Sequence, residues 1–180
     1  MMYCENNDDV IYMKTIKILE LISEKEIWEV LFEVKDPEIP LISVVDMGII
    51  TEVKIDQEEI VRIKMTPTFA GCPAVKYMQD DIKEKVMKLP VKGVEVEVSY
   101  ATQWNTNMIS ERGREMLKAS KFALPQKHDG LVQIEMLTNV ECPFCESKNT
   151  SLKSSFGPTQ CRAIHYCNNC LQSFEQFKPV

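Results

Sequence analysis

The sequence predicts a mixed α/β (α+β) fold, a small mixed three-stranded sheet with helices on one face, extended by a C-terminal β module. Three observations lead there. Apolar and polar residues alternate in three short segments, apolar residues recur at helical spacing between the second and third of them, and two Cys-x-x-Cys pairs stand near the C-terminus. Alternation with a period of two marks half-buried strands, and recurrence every three to four residues marks one face of a helix. At 180 residues and 44% hydrophobic content, the chain can carry one packed domain of roughly 100 residues and a smaller unit beside it.

The elements follow in chain order. Residues 1–22 are read as an N-terminal extension, acidic and polar at their start. Ser23-Glu24-Lys25-Glu26 has the pattern of a capping box, and Ile27, Val30, Leu31 and Val34 continue it as a helical stripe that Asp36-Pro37 stops. The prolines of Asp36-Pro37-Glu38-Ile39-Pro40 fix an extended path, and Asp46-Met47-Gly48 turns the chain into a strand. Ile49, Thr51, Val53 and Ile55 alternate, then Val61, Ile63 and Met65 do so beyond a turn at 56–59, which is hairpin patterning. Pro73 opens a second helix whose stripe is Val75, Met78, Ile82, Val86 and Leu89, ending at Pro90. Val94, Val96 and Val98 form the third strand, reached by a right-handed crossover if it lies parallel beside its neighbour. Ile109, Gly113, Met116 and Leu117 mark a short third helix, preceded by Trp104, either an interface anchor or a cap on the core. Residues 126–130 read as a linker, and Leu131, Val132, Ile134 and Met136 as the first strand of the C-terminal module. The expected domains are therefore 23–125 and 131–180.

Cys142-Pro143-Phe144-Cys145 and Cys167-Asn168-Asn169-Cys170 can each place two thiolates on one tight turn. Two such turns facing each other give the four sulfurs of a tetrahedral zinc site, and the module reads as a zinc ribbon. A unit this short buries little apolar surface, so a metal worth on the order of 10 kcal/mol would supply most of its stability. Two disulfides, or a rubredoxin-like iron site, would use the same residues. The odd count of 7 Cys, with no secretory signal, points to a reducing compartment and hence the cytoplasm. Cys161 and His165 lie between the two pairs and are read as strand residues that ligate nothing.

The formal charge of -6 divides unevenly: residues 1–141 carry 17 Lys+Arg against 25 Asp+Glu, and residues 142–180 carry 4 against 2. An acidic body repels a phosphate backbone and four cations release few counterions, so nucleic-acid binding is disfavoured. No run of about twenty apolar residues suggests a membrane span.

The body's chemistry concentrates in Thr66-Pro67-Thr68-Phe69-Ala70-Gly71-Cys72-Pro73. Cys72 stands just before a helix, where free amides and the helix dipole favour an anion and lower a thiol pKa. It is a candidate nucleophile or metal ligand, although a lone cysteine in such a place is more often a packing residue. Asp46 is expected to face this loop across the antiparallel pair, and Thr66 and Thr68 are further candidates on the loop itself. One glycine without a Gly-Lys-Ser/Thr element makes a phosphate loop a poor reading. A thiol enzyme lacks a base, since His128 falls in the linker and His165 in the ribbon.

Together, Asp36-Pro37-Glu38-Ile39-Pro40, Asp46-Met47-Gly48-Ile49 and Thr66-Pro67-Thr68 with Gly71-Cys72-Pro73-Ala74 resemble the small domain of SufT- and MIP-type iron-sulfur assembly factors. The stretch from Trp104 to Arg114, Phe156-Gly157-Pro158-Thr159-Gln160-Cys161-Arg162-Ala163 and the Phe174-to-Lys178 block resemble the PaaD family in particular. The resemblance implies an accessory subunit, not an enzyme in its own right, of the multicomponent oxygenase that epoxidises the ring of phenylacetyl-CoA, helping to mature the iron-sulfur cluster of its reductase. It also implies that Cys72 is the functional thiol, transiently holding iron or a cluster with a second ligand from Asp46 or from another subunit of a homodimer. Cys142, Cys145, Cys167 and Cys170 would then hold structural zinc. The competing expectation is an electron-transfer subunit whose ribbon cysteines hold redox iron.

Overall fold

The computed structural model describes residues 22–180. The expected N-terminal extension therefore lies outside the described residues, apart from Ile22. Helix α1 (Glu24–Leu31) starts on the capping box as expected, with the Ser23 side chain accepting from the Glu26 amide and the Glu26 carboxylate accepting from the Ser23 amide. Strands β1 (Ile50–Ile55), β2 (Ile60–Met65) and β3 (Gly93–Val98) form one sheet in the order β1-β2-β3, antiparallel between β1 and β2 and parallel between β2 and β3. Helix α2 (Ala74–Val86) makes the crossover to β3 and buries Met78, Ile82 and Val86. Together with Ile27 and Leu31 of α1 they meet Val61, Ile63 and Met65 of β2 in one core. The opposite face of the sheet carries charge, with Arg62 bridging Asp56 and Glu95 and Lys64 bridging Glu52.

The simple alternation expected over Ile49, Thr51, Val53 and Ile55 does not hold. The register of β1 against β2 shifts between Ile50 and Glu52, leaving Thr51 unpaired and exposed while Ile49 and Ile50 are both buried. A bulge absorbs the extra residue and lets Val53 keep its inward place.

Beyond β3 the chain forms a 3₁₀ turn at Thr106–Met108 and helix α3 (Glu111–Ala119), capped by the Ser110 hydroxyl accepting from the Gly113 amide. The ribbon is an antiparallel sheet in the order β4 (Thr150–Ser154), β5 (Arg162–Cys167), β6 (Ser173–Phe177). The first ribbon strand expected at 131–136 is not formed: Leu131 is 72% and Ile134 64% exposed, and the short helix α4 (Glu135–Thr138) follows. The edge of β6 is taken by Ala123, and the segment is instead held by the Gln176 amide donating to the Met136 carbonyl at 2.7 Å.

Ribbon and body share a core. Ala123 exchanges backbone hydrogen bonds with Glu175 and Phe177, and the Thr106 amide donates to the Val180 carbonyl. Phe177 is fully buried, edge-on to Trp104 at 5.9 Å between ring centroids, and the Trp104 indole donates to the Met47 carbonyl at 2.9 Å. Trp104 is thus a core cap rather than an exposed anchor. Among the described residues no helix is long and apolar enough to cross a membrane.

Candidate functional site

The two Cys-x-x-Cys turns are built alike. In each, the residue four positions after the first cysteine adopts a left-handed backbone, Glu146 at φ 60° and Leu171 at φ 60°, and its amide donates back to the first cysteine's carbonyl. A further amide in each turn points at a sulfur, from Phe144 to Cys142 Sγ and from Cys170 to Cys167 Sγ. Non-glycine residues hold such dihedrals only where the surroundings over-determine them.

The four Sγ atoms of Cys142, Cys145, Cys167 and Cys170 lie within 4.8 Å of one another, with Cys142–Cys170 at 3.7 Å and Cys145–Cys167 at 3.6 Å. A tetrahedral shell at a Zn–S distance of about 2.3 Å requires sulfur separations of about 3.8 Å, so the donor set fits such an ion. The thiols also divide electrically. Cys145 is held down to about 6 by the Ser147 amide and the Asn169 side chain, while Cys170 is pushed up to about 12 by burial and by its three sulfur neighbours. Four thiolates cannot coexist here without a cation among them.

Cys72 sits half-buried at the entrance to α2, its carbonyl accepting from the Val75 amide. The expected lowering of its pKa is overturned. Burial pushes the thiol up, outweighing the Ala74 amide that points at it, and the neighbouring Cys161 sulfur and the carboxylates of Asp36 and Glu38 add to the rise. Cys72 rests as a thiol, and a cation must displace its proton to bind. Beside it a cleft of about 290 Å³ opens, lined by Phe69, Gly71 and Pro73 on one wall and by ribbon residues 156–160 on the other.

The remaining candidates are placed differently from one another. Thr66 is buried and its hydroxyl donates to the Thr102 carbonyl at 2.9 Å, which ties the end of β2 to the segment after β3. Thr68 is partly exposed on the loop. The two carboxylate oxygens of Asp46 accept from Ser43 Oγ (2.6 Å), Ser110 Oγ (2.9 Å), and Arg112 Nε (2.9 Å) and Nη2 (2.7 Å). Burial opposes the charge, but Arg112, Ser43 and Ser110 prevail and hold the carboxyl below the usual aspartate range. The acidic groups that reach Cys72 are Asp36 and Glu38.

Two glycines make this docking possible. A Cβ on Gly113 would stand 2.6 Å from the Asp46 carbonyl oxygen, and one on Gly48, at φ +70°, would stand 2.4 Å from that of Met108. The turn at Asp46 and the block from Trp104 to Gly113 are therefore one packed unit. Arg112 carries no helical or strand periodicity that would link it to Asp46, so residue spacing does not reveal the pair. His165 is buried on β5, with Nε2 against Gln176 Oε1 at 3.1 Å, and Cys161 immediately precedes that strand.

The description "PaaD zinc beta ribbon domain" matches residues 127–178, and "iron-sulfur cluster assembly protein" matches residues 24–98. A protein of Escherichia coli (strain K12), named as a proposed component of 1,2-phenylacetyl-CoA epoxidase, is 33% identical over 155 residues, covering 86% of this chain and 92% of the relative. The chain belongs to the PaaD family. This member's body is also similar to shorter proteins. An Fe-S protein maturation auxiliary factor of Porphyromonas gingivalis is 37% identical over 90 residues, 49% of this chain and 85% of the relative. The Fe-S protein maturation auxiliary factor SufT of Staphylococcus aureus is 30% identical over 86 residues, 47% of this chain and 97% of the relative. The PaaD family member thus joins a module of maturation-factor type to a ribbon whose four cysteines can hold a metal.

Proposed function

We propose that this chain is a non-catalytic accessory subunit that matures the iron-sulfur cluster of the reductase serving a phenylacetyl-CoA-epoxidising oxygenase. Cys72 holds iron or a cluster as cargo and passes it to that client. The observation that carries the reading is the half-exposed Cys72 thiol at the mouth of α2, beside a cleft, in a module that matches iron-sulfur assembly proteins. Few thiolate donors bind a metal loosely enough to release it, which suits a carrier better than a resident site. Asp46 supports the module as a positioning carboxylate, since Arg112 and two hydroxyls already occupy it.

We assign zinc to the ribbon cysteines, supported by the family description and by the fit of the sulfur spacings to a tetrahedral shell. Zinc carries no redox change, so the ribbon stabilises the fold and no electron passes through it. The deciding experiment replaces Cys72 by Ser and measures two quantities, zinc per chain and cluster occupancy of the co-expressed reductase. Unchanged zinc with lowered occupancy is expected; full occupancy with the variant would overturn the carrier role. Iron with a reversible couple at the ribbon cysteines of the purified full chain would instead favour electron transfer.

A further inference from the structure

The Cys72 thiol does not stand alone. The ribbon brings Cys161 to the same side of the body: both cysteines pack against its core, and the loop that runs into Cys161 faces residues 69–73, the loop that holds Cys72, across the cleft. Arg162, next in sequence, fixes that loop, with Nη2 bound to Glu38 Oε2 at 3.2 Å and Nη1 to Glu175 Oε2 at 3.1 Å. The Lys178 amide donates to the Cys161 carbonyl at 2.9 Å, so the cysteine is pinned from both sides. Each sulfur has a polar neighbour, the Ala74 amide for Cys72 and the Thr159 hydroxyl at 3.1 Å for Cys161. Asp36 and Glu38 supply negative charge to both.

Resting on the reading of Cys72 as a carrier, we propose that Cys161 is its second sulfur ligand, so that one chain binds one thiophilic divalent cation between body and ribbon. Iron is the cargo on that reading, and two thiolates would also accept other thiophilic ions such as cobalt. On binding, the cation takes the place of two S–H protons, which leave to solvent, and no electrons move. The second ligand thus comes from the same chain, and a dimer is not required to complete the site.

The test is a titration of the full, reduced chain carrying one zinc per ribbon with Co²⁺ alone, without oxygen, followed by the sulfur-to-cobalt charge-transfer absorption. The wild-type chain should take up one further Co²⁺, and Cys72→Ser and Cys161→Ser should each weaken that uptake by at least about tenfold, the usual cost of losing even an outer-shell partner. Zinc content should stay at one per chain in both. Normal uptake by Cys161→Ser with loss in Cys72→Ser overturns the pairing and leaves the carrier role standing. No uptake by the wild type, or normal uptake by both variants, overturns both. If Cys161→Ser loses zinc or unfolds, diamide oxidation of the wild-type chain with peptide mapping decides. A Cys72–Cys161 disulfide then supports the pair, and a Cys72 link between two chains, or no link, refutes it.

Discussion

Replacing Asp46 by Asn separates a scaffold carboxylate from a metal ligand. The side chain is 2% exposed and accepts four side-chain hydrogen bonds, two from hydroxyls and two from Arg112. Hydrogen bonds to a charged group contribute about 1.5–3 kcal/mol each. Arg112 is 51% exposed, so its pair is screened toward the roughly 0–1 kcal/mol of a surface ion pair. Asn keeps one acceptor oxygen and turns an amide toward the guanidinium, so a net loss of about 2–3 kcal/mol follows from the hydroxyl bonds and the discounted pair. At about 2–4 °C per kcal/mol for a chain of this size, the melting temperature should fall by about 5–10 °C at pH 7.

The pH dependence gives that prediction a sign. Asp46 has a folded pKa below its ordinary 3.8, so its contribution is complete above about pH 5 and is lost as pH falls through the lowered folded value. The substituted amide has no such group to protonate. The gap between wild-type and Asp46→Asn melting curves, followed by calorimetry, should therefore close in acid, while Co²⁺ uptake at Cys72 stays unchanged at neutral pH. An unchanged melting temperature with lost cobalt uptake would refute the scaffold role and restore Asp46 as a ligand.

Three further outcomes are expected. Phe177→Ala removes a fully buried ring that packs on Trp104, and should cost about 3–5 kcal/mol by denaturant unfolding; a loss below about 1 kcal/mol would mean that ribbon and body do not share a core. Gly113→Ala drives a methyl group to 2.6 Å from the Asp46 carbonyl oxygen, so it should destabilise the chain by about 1–3 kcal/mol, the usual cost of overpacking, and wild-type stability would show that this approach can relax. Chelation of the ribbon metal should lower the melting temperature of the whole chain, because β6 supplies Phe177 to the body's core; calorimetry showing an unshifted body transition would contradict this.

Elements whose causes are local were legible in the sequence. The capping box of α1, the stripe of α2 and the valines of β3 each act within a few residues, and the structure follows them. The two Cys-x-x-Cys pairs were legible because the same short spacing, which sets two sulfurs on one tight turn, occurs twice. Other features arise between distant segments. The bulge at Thr51 depends on the register of β2, and the place beside β6 is taken by Ala123 rather than by 131–136. The Cys72 thiol illustrates the limit best: its place before α2 argues for a lowered pKa, yet burial raises it, and so do Asp36 and Glu38, more than thirty residues earlier, and Cys161, nearly ninety residues further along. Arg112 and Cys161 were visible as letters, but what each meets is decided only when the turn at Asp46 and the cleft at Cys72 are assembled.

The four-cysteine cluster and Cys161 lie at opposite ends of one strand. Cys167 closes β5 at the metal centre and Cys161 precedes it at the Cys72 cleft, six residues apart, or about 20 Å at the rise of an extended chain. Salt screens charge over about 8 Å at physiological ionic strength, so the metal centre's charge is a weak influence on the cleft. Mechanical coupling is stronger. The β5–β6 ladder runs from Tyr166 opposite Ser173 to Arg162 opposite Phe177, and Arg162 and Phe177 are the residues that grip the body. An ion held among the four sulfurs would fix one end of this hairpin and thereby the position of the other. A metal held by the four cysteines would therefore bear on the cleft beside Cys72 by holding Cys161 in place, a role open to a redox-silent ion.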